Sequence, residues 1–158
     1  MLHPAVREAL DRLSHPYEAL PCDPELADTA AFCAHYGFPP ENAGNAILVA
    51  AKTESPRFAL CVVLATTKLD VNHTVRKLLD ARKASFADAE TTRRVTGMMI
   101  GGVTPFGLSP GVPIYIDSRI PSLPYVILGG GNRSSKIKAA PDLLSRLPGA
   151  RLIEGLAK

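Results

Sequence analysis

The sequence predicts an α/β protein of the α+β type, in which helices surround a mixed, largely antiparallel, barrel-like sheet. Helical and strand patterns are mingled along the chain, and the two most apolar runs, residues 46–51 and 58–65, are separated by six residues. A link of this length closes an antiparallel hairpin, whereas parallel neighbours need a crossover of about a dozen residues or more. The 158 residues, 46% hydrophobic and 21% charged, suit one domain over residues 1–158.

The first half of the chain is predicted to hold two helices and the hairpin. Residues 5–15 and 27–36 carry apolar side chains at helical spacing. The segment 16–24 between them contains three prolines, so it is expected to be irregular with a short extended piece at residues 17–20. The two apolar runs of the hairpin do not alternate with polar residues, which predicts strands buried on both faces.

The second half is predicted to hold three helices and further strands. Asp70 or Asn72 can cap a helix that carries Val71 to Leu79, and Ser85 with Asp88 can cap another that ends at Gly97. Strand patterns then occupy residues 112–116 and 125–128, and Pro141 is suited to begin a last helix through Leu147.

Composition excludes several classes of protein. No apolar run approaches the roughly 20 residues that span a bilayer, and the first residues lack a basic stretch followed by an apolar one, so we expect a cytoplasmic protein with no membrane segment. Three cysteines without a C-x-x-C pair argue against a disulfide framework, and Cys61 lies inside an apolar run typical of the core. The four histidines are scattered, so no metal and no other cofactor is expected.

Charge is distributed unevenly along the chain. Residues 1–65 hold four basic and eight acidic side chains, whereas residues 66–158 hold fourteen basic and seven acidic ones. Nine of the fourteen bases of the second part fall in four short clusters, Arg76-Lys77, Arg82-Lys83, Arg93-Arg94 and Arg133 to Lys138. Such clusters can follow the phosphates of a polyanion if the fold places them on one face, although solvated helix faces often carry similar charges.

Two glycine-rich segments are the strongest candidates for a binding site. They are Gly101 to Gly107 and Gly129 to Gly131, and the second is followed by a dense set of donors suited to phosphate or ribose, Asn132, Arg133, Ser134, Ser135 and Lys136. Glycine lets a backbone come close to a ligand and direct its N–H groups at an oxygen, whereas the alternative interpretation is ordinary turn geometry. Four known motifs are absent: the dinucleotide fingerprint, the P-loop, the nucleophile elbow and H-E-x-x-H. The glycine segments therefore do not match any of these motif-defined sites.

The sequence resembles the YbaK/EbsC family from about residue 20 to its end. The resemblance lies in Asp28 to Ala31, the strand pair leading to residues 66–70, the segment 96–108 with its G-G-V-T-P-F-G core, and residues 126–133 leading to Pro141. The family comprises free-standing relatives of the editing domain of bacterial prolyl-tRNA synthetases. The resemblance implies the YbaK fold, a barrel-like sheet surrounded by helices, and hydrolysis of the ester bond of mischarged aminoacyl-tRNA.

The resemblance also implies where the tRNA binds. The aminoacyl end would lie in a cleft between the two glycine segments, the basic clusters would contact acceptor-stem phosphates, and a synthetase is a possible protein partner. Gly101, Gly102 and Asn45 are the residues expected at the reacting centre. The residues expected to bind the substrate are Asp28, Leu48, Val103, Thr104, Pro105, Phe106, Gly129, Gly130, Gly131, Asn132, Arg133 and Ser134.

Asn45 marks a departure from the family. Family deacylases usually carry an essential lysine just ahead of the first strand of the hairpin, and Asn45 stands at that position. A neutral amide can donate a hydrogen bond but brings no charge. Two alternatives to a deacylase therefore stay open, a catalytically silent tRNA-binding or synthetase-associated module and a small-molecule hydrolase that uses the same cleft.

Overall fold

The computed structural model describes residues 1–158. Five helices are present: α1 (Pro4–Leu13), α2 (Thr29–Tyr36), α3 (Arg76–Leu78), α4 (Ala89–Thr96) and α5 (Asp142–Ser145). Eight strands are present: β1 (Glu18–Pro21), β2 (Gly44–Ala51), β3 (Arg57–Leu64), β4 (Ala84–Phe86), β5 (Ile114–Asp117), β6 (Val126–Gly129), β7 (Ser135–Ala139) and β8 (Ala150–Ile153). None of the helices combines the length and apolar character needed to cross a bilayer.

The larger sheet has five strands in the order β4-β2-β3-β5-β8. The predicted hairpin forms its centre, with β2 and β3 antiparallel from Gly44 opposite Leu64 to Ala51 opposite Arg57. β4 adds antiparallel to β2, whereas β5 and β8 add in parallel on the other side. The sheet is therefore mixed, as the sequence predicts.

The smaller sheet has three antiparallel strands in the order β1-β7-β6. An isolated parallel bridge between Ala43 and Ile127 connects it to the start of β2. The molecule thus has two adjoining sheets and helices around them, and the predicted fold class is confirmed without the sheets closing into one barrel.

Both faces of the central hairpin are covered, as its unbroken apolar sequence predicts. One face contributes Leu48, Leu60 and Val62 to the largest core cluster, which α1 also joins. The opposite face contributes Val49, Cys61 and Val63 to a second cluster, and burial raises the pKa of the Cys61 thiol to about 12. At neutral pH, Cys61 is a protonated core side chain.

Local capping explains where α4 and the turn ahead of α3 begin. The Asp88 side chain accepts a hydrogen bond from the Thr91 N–H at 2.7 Å and starts α4, which ends at Gly97 as predicted. Asp70 accepts a hydrogen bond from the His73 N–H at 3.2 Å, but the following turn, Val71–Val75, is a π-type turn before the short α3. Ser85, the other expected cap, lies in β4.

Candidate functional site

The two glycine segments pack directly against each other. The Gly131 N–H donates a hydrogen bond to the Gly102 carbonyl oxygen at 2.6 Å. A Cβ atom on Gly102 would lie 2.1 Å from the Asn132 carbonyl oxygen, and one on Gly129 would lie 2.6 Å from the carbonyl oxygens of Gly102 and Val103. Backbone thus touches backbone at both positions, which only glycine permits.

A pocket of about 210 Å³ opens where these segments meet β2. Four of the predicted site residues line it: Leu48, Gly101, Val103 and Gly129. Nine lining residues lie outside the prediction: Thr29, Gly44, Ala46, Ile47, Phe86, Ala87, Thr92, Ile100 and Lys136. The pocket therefore draws on β2, β4, α2, α4 and β7 as well as on the glycine segments.

Lys136 is the charged side chain of this pocket. It lies on β7 with only 4% of its surface exposed. Its ammonium donates hydrogen bonds to the carbonyl oxygens of Ala27 at 2.6 Å and Gly101 at 2.9 Å, and lies 5.6 Å from the centre of the Phe32 ring. Burial lowers the pKa of Lys136, with the nearby Arg133 acting in the same direction.

The sequence indicates Lys136 as one of the donors after the second glycine segment and as part of the basic run from Arg133 to Lys138, but it does not predict that the side chain is buried on a strand. A period of two was the available signal: Ser135, Ile137 and Ala139 alternate with Lys136 and Lys138, as they would in a strand. Lys138 points along the same face but lies over the Tyr125 ring, 4.6 Å from its centre, and does not line the pocket.

Arg133 is held by the protein rather than presented to solvent. Its guanidinium donates to the carbonyl oxygens of Ile100 at 2.9 Å and Pro24 at 3.0 Å, and reaches the Asp28 carboxylate at 3.3 Å. Asp28, at the start of α2, thereby helps to fix Arg133 above Gly101. Asp28 and Arg133, both predicted site residues, lie beside the pocket and form an ion pair with each other.

The backbone of Gly101 is held on both sides. Arg133 donates to the carbonyl oxygen of Ile100, the residue before Gly101, and Lys136 donates to the carbonyl oxygen of Gly101 itself. The Gly102 N–H donates to the Met99 carbonyl oxygen at 2.8 Å, whereas the Gly101 N–H has no acceptor within the protein. Gly101, which lines the pocket, therefore has a fixed backbone and an amide donor that is unpaired within the protein.

Asn45 lies behind the pocket wall. Its side-chain oxygen accepts a hydrogen bond from the Thr29 hydroxyl at 2.5 Å, and Thr29 lines the pocket. Asn45 itself is not among the lining residues. Its contact with the first residue of α2 places it close to the segment whose Ala27 carbonyl binds Lys136.

The remaining predicted residues lie below or beside the pocket. Thr104, Pro105 and Phe106 are buried in the interior under Val103. The turn that follows β6 contacts the N-terminal segment: the Gly130 carbonyl accepts from the His3 N–H at 3.0 Å. Asn132 donates to the Met1 carbonyl at 2.8 Å and accepts from the Ser134 N–H at 3.1 Å, so it organises this turn.

Two exposed apolar side chains line the pocket, and two exposed basic pairs lie on the segments that carry its lining residues. Phe86 and Ile100 line it with 59% and 51% of their surfaces exposed. The exposed pair Arg82-Lys83 precedes β4, and the exposed pair Arg93-Arg94 follows Thr92 on α4. No group of three or more His, Cys, Asp or Glu side chains is close enough together to hold a metal ion.

Solved structures with the same fold cover nearly the whole chain. A hypothetical protein superimposes with a TM-score of 0.85 at 20% identity, covering 98% of this chain and 99% of the other. A candidate trans-editing enzyme for prolyl-tRNA synthetase superimposes with a TM-score of 0.81 at 22% identity, covering 100% and 99%.

The sequence comparisons identify the family. A proline–tRNA ligase of Brachyspira hyodysenteriae (strain ATCC 49526 / WA1) is 32% identical over 88 residues, which are 55% of this chain and 15% of the ligase. Residues 23–147 match the family described as the aminoacyl-tRNA editing domain, and this range contains both glycine segments, Asn45 and Lys136. The chain belongs to the aminoacyl-tRNA editing domain family.

Proposed function

We propose that the protein hydrolyses the ester bond of mischarged aminoacyl-tRNA and acts in trans, as a separate domain over residues 1–158. The observation that carries the proposal is the pocket between the two glycine segments and β2, whose lining includes Gly101 with its unpaired N–H. An amide fixed in this way can stabilise the negative oxygen that forms when water attacks an ester carbonyl, a contribution of about 2.7–4 kcal/mol.

The pocket supports a small aminoacyl group as the substrate. Its volume of about 210 Å³ is below the roughly 300–1,000 Å³ of pockets for larger ligands. Leu48 and Val103 supply apolar walls, and a cleft of fixed size excludes a larger side chain far better than a smaller one. Because the curated relative is a proline–tRNA ligase, tRNA for proline carrying alanine, serine, cysteine or threonine is the first substrate set to try.

The path proposed for the tRNA follows from the exposed apolar and basic side chains. Phe86 and Ile100 offer an exposed apolar surface on which the terminal base can stack or pack. The exposed pairs Arg82-Lys83, ahead of β4, and Arg93-Arg94, on α4, are the bases that would contact acceptor-stem phosphates without reading sequence. A cytoplasmic location and association with a synthetase accord with such a substrate.

Incubation with a panel of mischarged tRNAs tests the proposal. We expect release of the amino acid to exceed the spontaneous rate for at least one small amino acid and to stay at that rate for prolyl-tRNA. Salt-sensitive binding without turnover would instead support the silent module that Asn45 suggests. If the protein shows neither tRNA binding nor turnover, the small-molecule hydrolase is the alternative that remains.

A further inference from the structure

The buried ammonium of Lys136 stands out among the charges of the molecule. Lys136 and Asp117 are the two charged residues in the buried set. Asp117 is paired with Arg119 at 2.6 Å, whereas Lys136 forms no salt bridge and has only carbonyl partners. A buried charge without an opposite charge is costly, so its presence at a pocket wall points to work on a ligand.

The ammonium also has a donor to spare. A lysine ammonium has three N–H donors, and Lys136 uses two of them, on Ala27 and Gly101. Because Lys136 lines the pocket, the remaining donor can serve a group bound there. Its partner Gly101 carries the unpaired amide donor and lines the same pocket, so both residues border one cavity.

We propose that Lys136 is a catalytic residue that binds the acyl carbonyl oxygen of the substrate together with the Gly101 N–H. This inference rests on the proposed function and identifies the Lys136 ammonium as the positively charged group of the same site. With Asn45 neutral and outside the lining, Lys136 is the one ammonium that reaches this pocket.

The reaction balances with the lysine protonated throughout. Water attacks the acyl carbon, a new C–O bond forms, and the carbonyl oxygen gains the negative charge that Lys136 and Gly101 bind. Collapse of this intermediate breaks the bond to the ribose oxygen, which leaves with a proton derived from the water. The products are the free amino acid and tRNA with its terminal hydroxyl restored.

Substitution of Lys136 tests the role through the chemical step. We expect Lys136→Met to lower kcat by about 100-fold or more, the loss typical of one removed oxyanion donor, with KM changed much less. Lys136→Arg, which keeps the charge, should retain more activity than the Met variant. Lys138→Met removes the same charge from the same face of β7 and should keep the wild-type kcat.

A binding measurement separates this inference from the proposed function. The probe is an adenosine carrying alanine through a non-hydrolysable 3′-amide, titrated into the wild-type protein while the Lys136 side-chain NMR signals are followed. These signals are assigned by their loss in the Met variant or, if that variant does not fold, in Lys136→Arg. We expect saturable shifts of the Lys136 signals and none at Lys138.

Each outcome decides between the two proposals. An unchanged kcat in a folded Met variant, or Lys136 signals that do not respond to a bound analogue, overturns the role of Lys136 while deacylation stands. Shifted Lys136 signals without turnover on any tRNA support the contact and overturn the deacylase. If the Lys136 signals do not shift and no tRNA is hydrolysed, both the role of Lys136 and the deacylase are overturned.

Discussion

Both the local fold and the proposed chemistry depend on the backbone conformation of Gly101. Its φ of +96° lies in the region that L side chains rarely adopt, and a Cβ atom there would lie 2.1 Å from an Arg133 guanidinium nitrogen. The same guanidinium binds the Ile100 carbonyl and so orients the Gly101 N–H. A side chain at this position would therefore displace the group that aims the amide.

Gly101→Ala is expected to lower deacylation at least tenfold and to destabilise the fold by about 1–3 kcal/mol through backbone strain. Gly111→Ala is the matched control, because Gly111 has a φ of +97° with nothing within 4 Å of its added Cβ. Both variants should lose stability through the strained φ, Gly101→Ala the more because it also displaces Arg133, and only Gly101→Ala should lose turnover under conditions where both are folded. Equal activity in the two would remove Gly101 from the reacting centre.

At the scale of elements, the sequence predicted what local pattern determines. The hairpin of β2 and β3 follows from two apolar runs and a short link, and α4 follows from Asp88 and Gly97. β7 was missed because Lys136 and Lys138 conceal a strand that is central in its sheet. β4 and β8 are short edge strands formed by long-range pairing, for which three or four residues give little local signal.

The same distinction applies to the site. The glycine segments could be found from the sequence because close backbone approach requires glycine at Gly102 and Gly129. The burial of Lys136 could not, because it depends on β7 pairing with β1 and β6 and on α2 covering that face. Phe86 likewise reaches the mouth only because β4 pairs with β2.

The ion pair at the end of β5 controls how this element is attached to the end of the chain. Burial opposes ionisation of Asp117, but hydrogen bonds from the Arg119 side chain and N–H outweigh it and lower the pKa of the carboxyl. Arg119 also donates to the Ala157 carbonyl at 3.1 Å. The pair therefore links β5 to the last residues.

Asp117→Asn is expected to lower the free energy of unfolding at pH 7 by about 2 kcal/mol, since it removes charge-assisted hydrogen bonds. A lowered pKa in the folded state stabilises above the unfolded value of about 3.9, and this stability is lost as pH falls through the folded pKa. The difference from wild type should thus shrink between pH 5 and pH 2 in urea unfolding. Asp142→Asn, at an exposed carboxylate, should show little difference, and a gap for Asp117 that does not change with pH would contradict the assignment.

At the scale of the whole molecule, the structure shows which basic clusters of the sequence are used inside the protein and which are exposed. Of the four basic clusters, the one from Arg133 to Lys138 is largely used inside the protein, and Arg76 binds the Asn72 and Ala81 carbonyls. The pairs Arg82-Lys83 and Arg93-Arg94 remain exposed, the first ahead of β4 and the second next to Thr92 of the pocket lining. Phosphate contacts made there would add affinity that depends on salt and not on nucleotide sequence.

Replacing Arg93 and Arg94 together by glutamine is expected to weaken tRNA binding and to reduce the slope of log affinity against log salt by about 1–2, one unit for each lost phosphate contact. Fluorescence anisotropy with uncharged tRNA between about 50 and 300 mM salt measures this slope. Arg7→Gln with Arg12→Gln removes the same charge from exposed positions of α1, which does not line the pocket, and should leave the slope nearly unchanged. If both double variants shifted the slope equally, the tRNA would be sensing net charge alone, and the path from the pocket mouth across α4 would be wrong.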